Sequence, residues 1–295
     1  MRIGIDVGGT TVKIGIVDNY KVIDSYVIPT KQETLFDDIC LSVLDYIKNH
    51  NINDIEGIGF GLPGHVVNNY IYNLPNVGIK NFDLEKKFKE YFPNVKMASC
   101  NDANAAALGE ALADNSSSSS YMITLGTGVG GGLVLNGKVV DGYHSACGEV
   151  GHMFIDYIHN YQCSCGLKGC FETVASATGI VRLANEYFDK FKTSLSKDNL
   201  SAKTIFDAAR ENDELGLYVL DMVSKYLGRG LATLAVSVDV EVFFIGGGVA
   251  ACGNLLLDRV IEYFKEYAHY AVKDTKIKLA KLGNTAGMLG AAYLI

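Results

Sequence analysis

Three thiols, an imidazole and two carboxylates fall in one short stretch of the chain: Glu149, His152, Cys163, Cys165, Cys170 and Glu172. Sulfur and imidazole nitrogen are the donors of a closed tetrahedral zinc site, because zinc favours thiolate and borderline nitrogen ligands and imposes no geometry of its own. The spacing Cys163-x-Cys165-x4-Cys170, with Gly166 and Gly169 between the ligands, lets a tight loop bring the sulfurs together. His152 then arrives from the preceding segment as the fourth ligand. The alternative, three ordinary buried cysteines, suits a segment flanked by glycine and polar residues poorly. Disulfides are not expected: the cysteines number seven, and no secretory leader precedes the first strand. Glu149 and Glu172, with His152, carry the acceptors and donors needed to clamp hydroxyl groups in a fixed pose. Most glutamates are simply solvated, and only closeness to the thiols sets these two apart.

A second chemistry lies in three glycine turns, each after a strand-like run. Bare backbone lets amides approach phosphate oxygens that a side chain would hold off. Asp6, Gly8, Gly9, Thr10, Thr11 and Lys13 add hydroxyl and ammonium donors, and Asp6 offers a carboxylate for magnesium, usually through water. Gly126, Thr127 and Gly128 repeat the theme, and Gly246, Gly247 and Gly248 could let a nucleotide's base and ribose lie on bare backbone. One such turn alone is more often a hairpin; three in one chain favour a phosphorylated ligand. None of the three fits the Walker pattern, nor the Rossmann fingerprint placed before a helix. Asp102 is the candidate general base, since phosphoryl transfer to a hydroxyl recurrently uses a carboxylate to accept the proton. It is equally a candidate cap for the alanine-rich run that follows.

Positioning these groups requires alternating strands and helices. Arg2 to Val7 and Val12 to Val17 read as strands around the first turn, and Phe36, Ile39, Cys40, Val43, Leu44 and Ile47 recur at helical spacing. Ile55 to Phe60 reads as a strand running into Gly61-Leu62-Pro63-Gly64. Helices are expected around Leu84 to Phe92, from Ala103 to Ala113, near Thr173 to Asp189, and from Leu215 to Leu227. Tyr121 to Leu125, Leu133 to Leu135 and Glu241 to Ile245 read as strands, and Gly126 to Gly132 as a glycine turn. The two strand, glycine-threonine turn, strand openings suggest an internal duplication in an α/β architecture. A buried terminal helix is expected over Ala286 to Leu294. The polar run Asn115 to Ser120 suits a loop between lobes, and the domain boundary is placed there.

Composition bounds the function. With 295 residues, 48% of them hydrophobic, the chain can bury a core in two lobes. No apolar run is long enough to span a membrane, and a cytoplasmic location is expected. The net charge of −7, without a basic stripe, argues against nucleic acid as a partner.

Together these residues resemble the ROK family of sugar kinases and repressors, within the actin-like, hexokinase-like ATPase superfamily. The resemblance runs through Ile5 to Lys13, Gly61 to Gly64, Asn101-Asp102-Ala103-Asn104, Leu125 to Gly132, Gly148 to His152, Cys163 to Glu172 and Gly246 to Gly248. The cysteine segment is specific to ROK proteins, and the glycine loops belong to the wider superfamily. The runs Glu172 to Ile180 and Ala107 to Glu110 look most like bacterial ROK-type glucokinases. Cys147 departs mildly from the pattern, adding a spare thiol beside Glu149 and leaving the ligand set open.

The resemblance implies a two-lobed α/β fold with duplicated mixed β-sheet cores. The small lobe would comprise 1–115 with the C-terminal helix 281–295, and the large lobe 116–280 with the zinc-binding loop. It implies ATP-dependent phosphorylation of a hexose, foremost glucose to glucose 6-phosphate in glycolysis, with Asp102 as base. Gly64, Asn76, Asn101, Asp102, Glu149, His152 and Glu172 would bind the sugar. The three glycine segments would bind ATP with Mg2+, and His152, Cys163, Cys165 and Cys170 a structural Zn2+. A homodimer is expected on the same ground. N-acetylmannosamine, N-acetylglucosamine, fructose and allose remain alternative substrates, because the group at carbon 2 is read by pocket shape. A sugar-responsive repressor is the remaining alternative. Such repressors carry a helix-turn-helix ahead of the kinase-like region, and here the phosphate segment begins almost at the first residue.

Overall fold

In Arg2–Val7 (β1), Ile3, Ile5 and Val7 alternate with Gly4 and Asp6, so one strand face is apolar and the other almost bare. A computed structural model describes residues 1–114 and 118–295 and shows what each face is for. β1 pairs antiparallel with Thr11–Asp18 (β2), which pairs antiparallel with Lys21–Pro29 (β3). Leu35–Asn49 (α1) leads to Gly57–Leu62 (β4), parallel to β1. His65–Val67 (β5), Tyr70–Leu74 (β6) and Ile79–Asp83 (β7) form a small antiparallel sheet, followed by Leu84–Tyr91 (α2). Met97–Asn101 (β8) completes a five-stranded sheet in the order β3-β2-β1-β4-β8 and runs straight into Asp102–Asp114 (α3).

The chain then repeats this order. Ser120–Leu125 (β9), Val129–Leu135 (β10) and Lys138–Val139 (β11) precede Glu172–Ala175 (α4), Ala177–Tyr187 (α5), Ala202–Arg210 (α6) and Glu214–Val238 (α7). Val242–Gly246 (β12), Asn254–Tyr267 (α8), Lys276–Leu279 (β13) and Ala286–Ala292 (α9) follow. The second sheet is β11-β10-β9-β12-β13, so both sheets place their third, second, first, fourth and fifth strands in the same order. The duplication expected from the two glycine-threonine openings is present.

Several elements depart from the periodicity. β10 begins at Val129, so Gly130 to Gly132 are strand, not turn. A Cβ on Gly132 would lie 2.6 Å from Ala107 Cβ and 2.8 Å from the Ala103 carbonyl, which is why glycine persists inside the strand. The single helix expected over 173–189 is broken at Ser176, whose hydroxyl caps the Gly179 N–H at 3.0 Å. The helix expected from Leu215 to Leu227 runs on to Val238 and ends only where Asp239 turns left-handed, with φ +46°. Of the serine-rich loop, residues 115–117 and the boundary placed among them lie outside the described residues.

Two compact units emerge, Met1–Ser119 with Gly132–Gly148 and Leu282–Ile295, and Ser120–Gly131 with Glu149–Lys281. In the first, Ile3, Ile5, Val7, Ile14 and Phe60 pack against Leu35, Phe36 and Ile39 of α1 and Phe88 of α2. The bare face of the sheet receives α9, every residue of which is buried. A Cβ on Gly4 would lie 1.7 Å from the Met288 carbonyl oxygen, and one on Gly59 1.8 Å from that of Ala291. On its other side α9 meets α3, where a Cβ on Gly290 would lie 1.7 Å from the Ala105 carbonyl oxygen. The terminal helix is thus wedged backbone to backbone. In the second unit, Leu215, Val219, Leu220, Val223, Leu227 and Leu231 form the buried stripe of α7. No described helix is long and apolar enough to cross a membrane.

Candidate functional site

Each unit assembles its own share of the residues singled out above. In the first, Asn101 ends β8 and Asp102 opens α3, so the switch from strand to helix sets both side chains at a helix N-terminus, where a carboxylate is favoured. The Ala103 N–H is shared, 2.9 Å from Asn101 Oδ1 and 2.9 Å from Asp102 Oδ1. Asp102 thus does part of a cap's work, and Asn101 shares it. Asn101 Nδ2 donates to the Gly64 carbonyl at 3.3 Å, gathering Gly64, Asn101 and Asp102.

The first phosphate turn belongs to the same unit. The Gly8 N–H donates to the Thr11 carbonyl at 2.9 Å, and Thr30 Oγ1 donates to the Gly8 carbonyl at 2.8 Å, leaving Gly9, Thr10 and Thr11 exposed at the tip. A Cβ on Gly9 would meet the Asn76 carbonyl oxygen at 3.3 Å, so Asn76 lies against the turn. Lys13 Nζ stands 3.4 Å from Asp6 Oδ2 and 3.5 Å from Asn284 Oδ1. The start of α9 comes so near Asp6 that a Cβ on Gly287 would sit 2.9 Å from its carboxyl carbon.

In the second unit the ligand atoms of His152, Cys163, Cys165 and Cys170 all lie within 4.8 Å of one another. Cys165 and Cys170 sulfurs are 3.7 Å apart, and Cys163 Sγ is 3.7 Å from His152 Nδ1. Metal–sulfur bonds of about 2.3 Å at tetrahedral angles give sulfur–sulfur edges of about 3.8 Å, so the quartet fits zinc. None of the seven cysteines forms a disulfide. Burial pushes the Cys170 thiol up to about 12 and raises Cys163, whereas the Leu167 N–H holds Cys165 below its ordinary value. A cation outweighs such shifts, because a coordinating thiol is deprotonated outright.

The loop is braced from beneath. The Gly169 carbonyl accepts the N–H groups of Ile155 and Asp156 at 2.9 and 3.0 Å. Asp156, fully buried, accepts from the N–H groups of His159 and Tyr161 at 2.9 and 3.2 Å and from the Tyr226 hydroxyl at 3.0 Å. Burial alone would raise its pKa, but these donors together hold it below the usual carboxylate range.

His152 is shared between two neighbours. Its Nδ1 faces Cys163 and its Nε2 lies 3.8 Å from Glu149 Oε2. Glu172, on the other side, receives the Cys163 thiol at Oε1, 3.0 Å away. A Cβ on Gly128 would meet Glu172 Oε2 at 2.7 Å, so this carboxylate also touches the second phosphate turn. That turn is pinned by the start of α5, where the Ala177 N–H donates to the Gly126 carbonyl at 2.8 Å and Thr178 Oγ1 to the Thr127 carbonyl at 2.8 Å. Gly247, at φ +86°, brings the third glycine turn beside it, since a Cβ there would lie 2.4 Å from the Leu125 carbonyl oxygen.

Two cavities in this unit carry residues that sequence reasoning missed. One, of about 200 Å³, joins Gly248 and Val249 to Lys203, Phe206, Asp207 and Arg210 of α6. Lys203, Asp207 and Arg210 have only the spacing of an ordinary solvated helix face, and nothing in their order announces a pocket. The other, of about 320 Å³, joins Thr127, Gly128 and Glu172 to Gln162, Thr178 and Arg182. Arg182 donates to the Thr173 carbonyl at 3.0 Å and lies over the Tyr161 ring, contacts that its spacing on α5 does not announce.

Residues 2–295 match the profile of the ROK family. A glucokinase of Halalkalibacterium halodurans is 37% identical, with 99% of this chain and 94% of the relative covered. An N-acetylmannosamine kinase of Haemophilus influenzae is 27% identical over 99% of this chain and 94% of its own. Among solved structures, a ROK family glucokinase from Streptomyces griseus in complex with glucose and AMPPNP superposes with a TM-score of 0.75 at 30% identity, covering 99% of this chain and 98% of that one.

Proposed function

The chain belongs to the ROK family, with its actin-like, hexokinase-like ATPase fold, and on that premise we propose that it phosphorylates glucose to glucose 6-phosphate with ATP. What carries the choice of reaction is His152, whose ring joins the thiol quartet on one side and Glu149 on the other, as a clamp for a polyhydroxylic substrate requires. What carries the choice of sugar is full-length likeness to glucokinases.

In this reading Asp102 accepts the proton of the sugar's 6-hydroxyl as its oxygen bonds to the γ-phosphorus and the bond to ADP breaks. Gly64, Asn76, Asn101, Glu149, His152 and Glu172 hold the remaining hydroxyls, fixing the attacking oxygen and converting an encounter into an oriented reaction. The turns at Gly8 to Thr11 and Gly126 to Gly128 present backbone N–H groups and hydroxyls to the phosphates, with Lys13 adding positive charge. Gly246 to Gly248 take the adenosine, next to the cavity of α6. Asp6 would hold Mg2+, which would offset negative charge on the phosphates. His152, Cys163, Cys165 and Cys170 would hold zinc, which would fix the loop and the His152 ring through which His152 binds the sugar. The same reading makes the protein a cytoplasmic homodimer of carbohydrate metabolism.

The second reading, a kinase for N-acetylmannosamine, is favoured by the Haemophilus influenzae relative. A panel of kcat/KM values with ATP over glucose, N-acetylmannosamine, N-acetylglucosamine, fructose and allose decides between them. Glucose is expected to lead. A higher value for an N-acetyl sugar overturns the choice of substrate, and no sugar-dependent ADP release with any of them overturns the kinase.

A further inference from the structure

A buried polar pair lies within one turn of the proposed base. Asn104, in the first turn of α3, is 5% exposed, and its Nδ2 donates to Asp141 Oδ1 at 2.8 Å. Its own Oδ1 is buried and has no hydrogen-bond partner among the described residues. A buried amide that satisfies only part of its capacity costs free energy that an apolar side chain of similar size would avoid. Packing therefore does not account for Asn104. Asp141 is held in a similarly unfavourable place, since burial raises its pKa and the Asn104 bond only partly offsets this.

Both partners belong to the first unit. Asp141 follows β11 and opens a tight loop, its carbonyl accepting the Cys147 N–H at 3.0 Å. Along the chain that loop leads through Gly148 into Glu149. Asp141 and Asp102 also act on one shared neighbour, for the buried Cys100 thiol, raised first by desolvation, is raised further by both carboxylates.

Besides the bonds of the Ala103 N–H to the adjacent Asn101 and Asp102, this turn is held by close packing. A Cβ on Gly61 would lie 3.1 Å from Ala105 Cβ and 3.6 Å from Asp102 Cα, and Gly132 presses on Ala103 and Ala107. Close packing limits how far the helix can turn about its own axis but selects no single angle within that limit; farther along α3 Glu110 Oε1 accepts the Leu282 N–H at 2.7 Å, and beside Asp102 the directional side-chain bond is that of Asn104. A directional bond to a side chain off the axis does select an angle. At about 100° per residue, Asn104 projects about 200° around the helix from Asp102, so a tether there locks the carboxylate from the opposite side.

We propose that the Asn104–Asp141 pair is a positioning device that fixes the rotation of α3 and thereby aims the Asp102 carboxylate, without touching substrate. The proposal rests on the reading of Asp102 as the base. Asp141→Asn keeps an acceptor for Asn104, whereas Asp141→Ala and Asn104→Ala remove the tether. Either alanine variant is expected to lower kcat by about 10- to 100-fold, with glucose affinity measured without ATP changed by less than about twofold. Asp141→Asn is expected to stay within about threefold of wild type, and the double alanine variant to lose no more than either single one. Hydrogen exchange of the segment 101–108 should quicken in Asp141→Ala but not in Asp141→Asn. An Asp141→Ala enzyme with kcat within about twofold of wild type, an Asp141→Asn variant as poor as Asp141→Ala, or affinity falling in step with kcat overturns the proposal. Wild-type protein that turns over no hexose refutes the proposed function instead. The exchange comparison then decides the tether: quickening confined to Asp141→Ala supports it, and equal exchange in the two variants overturns it.

Discussion

Gly290→Ala sets two effects of opposite sign against each other. Gly290 lies inside α9, where alanine is the better helix former by about 1 kcal/mol. Its Cβ would, however, lie 1.7 Å from the Ala105 carbonyl oxygen and 2.7 Å from the Gly109 nitrogen. Carbon approaches a carbonyl oxygen no closer than about 3.3 Å, so α9 and α3 must part by about 1.6 Å. Both sides of the contact are backbone, and no rotamer change relieves it. Overpacking a well-packed core costs about 1–3 kcal/mol, and this site belongs at the upper end or beyond. The clash therefore outweighs the propensity gain, leaving a net loss of about 2–3 kcal/mol and a fall in Tm of about 3–5 °C. Activity should suffer as well, since α3 begins at Asp102 and the start of α9 touches Asp6; about tenfold in kcat/KM is expected. Thermal unfolding with a coupled ADP assay reads both. Gly248→Ala, whose Cβ would meet nothing within 4 Å, controls for stability. A Gly290→Ala protein melting at or above the wild-type temperature would refute the backbone-to-backbone wedge.

Asp102→Asn should lower kcat by at least about a thousandfold and leave glucose affinity, measured by calorimetry, nearly intact; substantial residual turnover would remove Asp102 from the role of base. Chelation should weaken glucose binding far more than nucleotide binding, because the quartet and its His152 ring border Glu149 and Glu172. Equal loss of both, seen by calorimetry on the same sample, would mean global unfolding. Asp156→Ala should cost about 3 kcal/mol near neutral pH by stranding three donors under the metal loop. Because the folded-state pKa of Asp156 is depressed, its contribution is present above the unfolded carboxylate value of about 3.9 and is lost as pH falls through the lower folded value. Denaturant titrations should therefore show the gap to wild type narrowing below about pH 4, and a pH-independent gap would count against the charged form.

Much of this molecule was legible before folding was considered. The alternation of Ile3, Ile5 and Val7 with Gly4 announced β1, and the spacing of Cys163, Cys165 and Cys170 announced a loop that gathers their sulfurs with His152, because both depend on local periodicity and donor type alone. The small sheet β5-β6-β7 was not legible: its strands are three to five residues long, too short for a period to declare itself. Asn104, Asp141 and the residues of α6 beside Gly248 were likewise silent, since one polar residue on a helix looks the same whether it faces water or a partner far along the chain.

The sequence by itself determined which chemical groups are available, their local order, and the repeated openings behind two sheets of one strand order. Only the tertiary structure decided that Gly132–Gly148 packs with the first unit and that α9 lies on glycine backbone between a sheet and α3. The physical reason is range. Periodicity and donor chemistry act between residues a few positions apart. Close packing and the pairing of buried polar groups join residues such as Gly4 and Met288, or Asn104 and Asp141, whose separation along the chain carries no signal of the contact.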